Sequence, residues 1–123
     1  MANTFKNATF RGGAVNADVV SAVGSACPSG SQITIIGLTI SNISSSVISV
    51  GVKMTDNHSS PTTTWIVKDA PIPTGGSLIV VGGDQKLCLE YNDTGGLTSG
   101  DQIQVVSNTA NSIDVVVSYL EIT

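Results

Sequence analysis

Short segments in which apolar and polar residues alternate run along most of this chain, and turn residues separate them. The clearest alternation runs from Ile48 to Thr55, where every second residue from Ile48 to Met54 is apolar. A period of two places those side chains on one face of a strand. Further segments rich in Val, Ile and Thr, each bounded by turn residues, lie at residues 63–68, 77–81, 86–90 and 102–107. The pattern predicts an all-β fold without a long helix.

Three segments depart from simple alternation. Between Ile33 and Ile40 the apolar parity changes near Gly37, which predicts a β-bulge that re-aims the side chains after it. The segment from Ile113 to Ile122 is apolar on both faces, which favours a central strand or an oligomer contact. Residues 16–23 fit a strand, which we favour, or one helical turn. Together the segments predict a single antiparallel β-sandwich of about eight strands, of the jelly-roll or immunoglobulin-like type.

The length of 123 residues indicates one domain with one core. We expect residues 1–14 to form an N-terminal arm that packs on a neighbour, and residues 15–123 to form the single β-sandwich domain. The arm contains Phe5 and Phe10 in a polar context that includes glycine. The expected core residues are all apolar and come from the strand segments: Ile35, Leu38, Ile40, Val50, Val52, Leu87, Leu89, Val105, Val115 and Val117.

Composition and charge narrow the classes of partner. Hydrophobic residues make up 41% of the chain and charged residues 11%, which argues against disorder. The net charge is -4 and the five basic residues are scattered, so no basic stripe is available for nucleic acid. No apolar run approaches the roughly 18 residues that cross a bilayer, and the N-terminus lacks the apolar stretch of a secretory signal. We therefore expect neither a nucleic acid nor a membrane as partner, and no export signal in this chain.

The two cysteines, Cys27 and Cys88, lack metal-ligand spacing. Cys88 lies in an alternating segment, and we interpret it as a small buried hydrophobic residue of a strand. A disulfide between the two cysteines is the alternative that the sequence leaves open.

Candidate catalytic and metal-binding groups are few. His58 is the only histidine, it lies in a loop sequence, and no nucleophile-elbow motif accompanies it. Asp93 and Asp101 flank a loop that could hold calcium, although ordinary turn chemistry explains them better. Glu90 and Glu121 alternate with apolar strand residues and are interpreted as facing solvent. We expect no enzyme, no catalytic residue, no cofactor and no metal site.

Two other kinds of motif have a structural interpretation. The segments Gly75-Gly76-Ser77 and Gly82-Gly83-Asp84 lack the lysine and the helix of a phosphate-binding loop, so we interpret both as hairpin turns. Trp65 and Tyr91 could stack on a sugar, but aromatic residues total only 4% of the chain. We interpret Trp65 as a core or interface residue.

Several longer motifs resemble those of a known group of proteins. They are Ile36-Gly37-Leu38, Ser41-Asn42, the segment from Trp65 to Pro73, the segment from Gly82 to Leu87, Gly100-Asp101-Gln102-Ile103 and the ending Ser118 to Thr123. Together they resemble the small virion structural proteins of tailed bacteriophages, particularly phages of marine bacteria. The resemblance covers residues 26–123, and its most specific parts are KDAPIP at Lys68 to Pro73 and the C-terminal SYLEIT.

The resemblance implies a β-sandwich mounted on the virion after assembly in the host cytoplasm, and it supplies no catalytic residue. The leading hypothesis is a capsid decoration (cement) protein that stabilises the head shell. The alternative is a head-fibre, neck or tail component that could bind a host glycan. The expected partners are further copies of the chain, in a symmetric homo-oligomer for which we favour a trimer, and the major capsid protein or other virion proteins. The candidate interface residues are Phe5, Phe10, Arg11 and Tyr119.

Overall fold

The β-strand is the only regular secondary structure among the residues that the structure describes. The computed structural model describes residues 3–11, 27, 30–56, 62–82, 86–92 and 99–122. These ranges contain β1 (Asn3–Arg11), β2 (Gln32–Asn42), β3 (Ile48–Asp56), β4 (Thr62–Ile72), β5 (Ser77–Val81), β6 (Leu87–Asn92), β7 (Ser99–Gly100), β8 (Gln102–Ser107) and β9 (Ile113–Ile122). The predicted all-β class is confirmed. The segment at 16–23 lies outside the described residues.

Two antiparallel sheets enclose one core. The larger sheet has the order β1-β9-β2-β6-β7, with β5 also paired to β2, and the smaller sheet has the order β4-β3-β8. Alternate residues of both sheets meet in one apolar cluster, as expected for a β-sandwich. Nine of the ten predicted core residues are buried, and Leu87, the first residue of β6, is half-buried against the same cluster.

The predicted bulge in β2 is confirmed. The register between β2 and β9 shifts between Ile35 and Gly37, so Ile36 is the extra residue. Because of that extra residue, Ile33 and Ile35 before the bulge and Leu38 and Ile40 after it all point into the core. The strand β9 lies between β1 and β2, which confirms the central position that its two apolar faces predicted.

The segment expected to form an arm contributes a strand to the larger sheet. Residues 3–11 form β1, which pairs with β9 from Asn3 opposite Ile122 to Arg11 opposite Asp114. Lys6 Nζ lies 2.7 Å from the Glu121 carboxylate, and this hydrogen bond raises the pKa of Lys6. Contact between this segment and a neighbouring molecule stays a prediction, and the expected boundary at residues 14 and 15 lies outside the described residues.

The interpretation of both Gly-rich segments as hairpin turns is wrong. The turn after β4 leads from the smaller sheet to the larger one, since β4 pairs with β3 and β5 pairs with β2. Gly75 has φ +76°, and the Gly76 N–H donates to the Pro73 carbonyl at 2.9 Å. The strands β5 and β6 both run antiparallel to β2 along the same edge, so they run in the same direction as each other. A hairpin would instead join two antiparallel strands.

Buried Asn42 holds this crossover between the sheets in place. Its Nδ2 donates to the Ile72 carbonyl at 2.9 Å and to the Ser46 carbonyl at 2.8 Å. Its backbone N–H donates to the Gly76 carbonyl at 3.0 Å. Asn42 therefore connects the end of β2 to the end of β4 and to the start of β5 through hydrogen bonds of its side chain and backbone.

Candidate functional site

Trp65 lies on the outer face of the smaller sheet, so of its two interpretations, core or interface residue, the first is wrong and the second stays a prediction. It pairs directly with Lys53 of β3, which alternates with the core residues Val50 and Val52, and Trp65 is 42% exposed. Its ring covers Gly51, where an added Cβ would lie 2.6 Å from ring atom Cζ3. Any larger residue at position 51 would displace the indole, so the glycine is what seats the ring against the sheet.

Two bulges in β4 arrange the side chains around this ring. Ile66 is the extra residue between the pairs formed by Trp65 and Val67, and Lys68 with Asp69 lie opposite the single residue Gly51. Asp69 has φ +53°, a left-handed conformation that few residues other than glycine adopt. Bulges re-aim side chains, and strained backbone is concentrated at functional sites. This strand therefore has the local geometry of a binding site.

A concave groove of about 250 Å3 opens beside the Trp65 ring. Gly51, Val50 and Val106 form its apolar part. Its polar lining is Ser49, Lys53, Asp69, Ser107 and Asn108. We call this site the Trp65 groove.

Hydrogen bonds fix the wall of the Trp65 groove opposite the ring. The Ser49 N–H donates to Asn108 Oδ1 at 3.0 Å, and the Asn108 N–H donates to the Ser49 carbonyl at 3.0 Å. Thr109 Oγ1 donates to the same Asn108 oxygen at 3.0 Å. Because its oxygen accepts both bonds, the Asn108 side chain presents its NH2 group as the remaining donor.

Two lysines lie near the Trp65 ring. The ammonium nitrogen of Lys53 is 5.5 Å from the ring centroid, and that of Lys68 is 5.6 Å from it. Both distances fall within the range of cation–π attraction. The ring therefore gathers two of the chain's five basic residues at one place on a protein of net charge -4.

Sequence reasoning missed the Trp65 groove, although two signals for it were present. Gly51 interrupts an alternating strand, which indicates a bulge or a close backbone approach. Trp65, Ile66 and Val67 are three consecutive apolar residues, which simple alternation does not allow. Both signals mark the place where β4 departs from its regular register.

A second exposed surface is the outer face of the larger sheet. The cross-strand pairs place Thr9, Val116, Thr39 and Ile79 in one row across β1, β9, β2 and β5. A second row contains Phe5, Leu120, Thr34 and Cys88. Three of the large apolar members are well exposed, Phe5 by 73%, Ile79 by 68% and Val116 by 49%, and Leu120 is half-buried. We call these two rows the apolar face.

The four candidate interface residues do not share one surface. Phe5 lies on the apolar face, whereas Tyr119 alternates with the residues of that face and is half-buried against the core. Phe10 lies opposite Val115 in the register, and Arg11 lies opposite Asp114. A contact role for all four residues stays a prediction.

The two cysteines differ in burial. Cys88 is exposed, so its interpretation as a buried residue is wrong: its neighbour Leu89 is the one that points into the core. Cys27 is buried, and the two thiols are not joined by a disulfide. Burial, with a smaller contribution from the Asp101 charge, raises the pKa of the Cys27 thiol to about 11. Cys27 is therefore a poor nucleophile at neutral pH.

The other candidates for chemistry are structural or lie outside the described residues. Asp101 is buried, its carboxylate accepts the Glu90 N–H at 3.0 Å, and its carbonyl accepts the Cys27 N–H at 3.0 Å. Glu90 is exposed, and Tyr91 packs partly buried against the core. His58 and Asp93 lie outside the described ranges. Among the residues described, no three His, Cys, Asp or Glu side chains lie close enough together to hold a metal ion.

Comparisons with known proteins add no relative. No protein family's sequence profile matches the chain, and no curated protein or solved structure matches it significantly. A search of the described residues for a helix long and apolar enough to cross a membrane finds none.

Proposed function

We propose that the chain is a non-enzymatic structural protein of a tailed-bacteriophage virion, specifically a capsid decoration (cement) protein. In this role it binds the head shell as a symmetric homo-oligomer, for which we favour a trimer, and adds buried interface area that resists the pressure of the packaged genome. The motifs quoted above, which resemble those of small virion proteins, support the proposal. The β-sandwich is also the fold that this resemblance implies.

The observation that carries the proposal is the apolar face. Three large apolar side chains, Phe5, Ile79 and Val116, are exposed on the same side of one sheet. Burying such a side chain contributes roughly 1.5 to 3 kcal/mol relative to leaving it in water. Exposed large apolar residues that lie on one face of a sheet favour a surface that another protein covers.

The chemistry of the central row suits a protein interface. Thr9, Val116, Thr39 and Ile79 are β-branched and uncharged, so covering them requires no charge to leave water. The cores of protein interfaces are depleted of charged residues in the same way. Charged residues such as Glu90 and Asp114 lie at the two ends of the face, in the positions of a polar rim.

Copy number on purified particles tests the proposal. Virions from the source of the gene, analysed by quantitative gel densitometry against the major capsid protein, should contain the chain in hundreds of copies. Tens of copies or fewer would support a neck or tail position instead. Absence of the chain from the particles would overturn the proposal.

The second candidate function is a head-fibre, neck or tail component that binds a host glycan. The specific observation in its favour is the Trp65 groove, where a half-exposed indole lies next to several polar groups. The apolar face would then attach the domain to the particle, and the opposite sheet would present the groove to the host. Loss of binding to host cells when the groove is altered, with virion assembly unchanged, is the result expected for this candidate.

A further inference from the structure

We infer that the Trp65 groove binds one sugar unit that carries a negative charge, as a carboxylate or a sulfate group. This inference rests on the second candidate function and names its ligand class. Four properties of the groove support it: the ring, the polar lining, the charge and the size.

The ring and the lining together suit a polyhydroxylated ligand. The apolar face of a sugar ring packs against an aromatic side chain such as Trp65, while its hydroxyl groups both donate and accept hydrogen bonds. The groove offers an acceptor in the Asp69 carboxylate and a donor in the Asn108 NH2 group. The Ser49 hydroxyl can serve as either. A purely apolar ligand would leave these groups without partners.

The two lysines select for negative charge. The ammonium groups of Lys53 and Lys68 lie 5.5 and 5.6 Å from the centroid of the same ring. Lys53 lines the groove and Lys68 lies near the same ring, so both positive charges attract an anionic group that binds beside the ring. Asp69 also lines the groove and would repel an anion, so we expect hydroxyl groups of the ligand, and not its charged group, to contact Asp69.

The size and construction of the groove set the length of the ligand. A volume of about 250 Å3 lies below the roughly 300 to 1,000 Å3 of sites for drug-sized ligands, so it suits a single sugar unit. The site is also built in advance, since Gly51 seats the ring and the left-handed Asp69 turns the strand at the bulge. Preorganisation of this kind lowers the entropic cost of binding.

The fluorescence of Trp65 provides a direct assay, because it is the only tryptophan in the chain. The full chain is titrated separately with methyl glucuronide, methyl glucoside 6-sulfate, methyl glucoside and inorganic sulfate. Both charged sugars should change the emission in a saturable way, with a Kd of about 1 mM as expected for ligands of this size. The uncharged glucoside should bind at least about tenfold more weakly, and sulfate alone should not saturate.

Matched lysine variants test which ammonium groups interact with the negative charge of the ligand. Lys53→Gln and Lys68→Gln should each weaken binding of the glucuronide severalfold and reduce its salt dependence. Lys86→Gln, which removes an exposed lysine between β5 and β6, is the control and should bind like the parent. A melting temperature equal to that of the parent shows that each variant is folded. An NMR titration then shows whether a lost fluorescence change reflects lost binding.

Each outcome supports or overturns a distinct statement. Binding of a charged sugar that depends on Lys53 and Lys68 supports the inference, and the better of the two charged ligands identifies the anionic group. Equal affinity for the uncharged glucoside overturns the charge preference but leaves glycan binding standing. Absence of binding by all three sugars overturns both the inference and the second candidate function, and it leaves the virion copy number unaffected.

Discussion

The outer faces of the two sheets differ in both shape and chemistry. On the larger sheet, register shifts within the described residues occur only in the pairings of β2, whereas β1 and β9 pair over nine residues without one, and the exposed residues of the central row are β-branched and uncharged. On the smaller sheet, β4 contains two bulges, and the outward residues near them include an indole, two lysines and a left-handed aspartate. The first surface suits a broad protein contact, and the second suits a small ligand.

The difference shows what a bulge contributes to a sandwich. Regular pairing keeps neighbouring side chains parallel and gives rows such as Val116 next to Thr39. Near the two bulges of β4, by contrast, the Trp65 ring lies over Gly51, Asp69 has a left-handed backbone, and a concave groove opens beside them. One fold can therefore carry an attachment surface and a binding groove on opposite sides.

The largest expected effect is a difference in stability between variants at two adjacent positions, one in the core and one on the apolar face. Val115 is 1% exposed and Val116 is 49% exposed. Val115→Asp should destabilise the fold by several kcal/mol, because it buries a charge without a partner. Val116→Asp should change the free energy of unfolding by less than about 1 kcal/mol. Urea unfolding of both variants checks this, and equal stabilities would show that the two faces of β9 are assigned wrongly.

The next effect uses pH to distinguish the buried cysteine from the cysteine on the apolar face. The Cys27 thiol has its pKa raised from 9.0 to about 11, so the folded protein holds a proton that the unfolded chain releases above pH 9. Its contribution to stability is therefore complete below pH 9 and is lost as the pH rises to about 11. At about 1.4 kcal/mol per pH unit the loss approaches 3 kcal/mol.

Variants of the two cysteines should differ in how their stability depends on pH. Cys27→Ala should flatten the fall in stability between pH 9 and 11, whereas Cys88→Ser should leave it unchanged, because Cys88 is exposed. Denaturant melts across this pH range provide the measurement. A profile that responds to Cys88→Ser and not to Cys27→Ala would contradict the burial of Cys27.

A smaller effect is expected when alanine replaces one glycine on the outer face of each sheet. At Gly51 an added Cβ would lie 2.6 Å from the Trp65 ring and 3.2 Å from the Val67 carbonyl oxygen. Gly51→Ala should therefore cost about 1 to 3 kcal/mol and move the Trp65 emission towards that of an exposed indole. At Gly37 the nearest atom is Ser118 Cβ at 3.8 Å, so Gly37→Ala should be neutral or slightly stabilising.

Thermal melts and emission spectra of the two glycine variants check this comparison. If Gly51→Ala keeps both the stability and the spectrum of the parent, Trp65 does not pack on Gly51. A large loss of stability for Gly37→Ala would contradict the distance of 3.8 Å between the added Cβ and Ser118 Cβ.

The alternation of residues predicted the core and the class of fold well, because the inward positions of β3, β8 and β9 are mostly apolar, and those of β2 are apolar on both sides of its bulge. The bulge near Gly37 was visible because apolar residues lie on both sides of it. However, each bulge changes which of the alternating residues face the core, so the alternation in one part of β4 does not predict the orientation of residues beyond its two bulges. For that reason the outward position of Trp65 and the groove around it could not be predicted by counting from the alternating part of β4.

Other errors arose where a local pattern depends on distant partners. The Gly-rich segments have turn composition, but whether they join paired strands depends on which sheet the next strand enters. Cys88 has two apolar neighbours, and only the position of Leu89 in the core shows that Cys88 points outwards. Exposure of Ile79 and Val116 likewise depends on the absence of a covering element within the described part of the chain, which a local pattern does not encode.

The central claim is that the apolar face attaches the domain to its particle. Two double variants with matched chemistry test it, each with one Ile→Thr and one Val→Thr change. The first alters Ile79 and Val116 on the apolar face. The second alters Ile43 and Val47, which are 43% and 64% exposed in the connection between β2 and β3 and serve as the control.

Co-sedimentation with head shells that lack the protein is the most direct measurement. Light scattering first establishes that both variants are folded and reports their oligomeric state. The account predicts that the Ile79 and Val116 variant loses shell binding at least about tenfold, a change of about 1.4 kcal/mol, while the control binds like the parent. Equal binding by the two double variants, whether both are retained or both are lost, would contradict it.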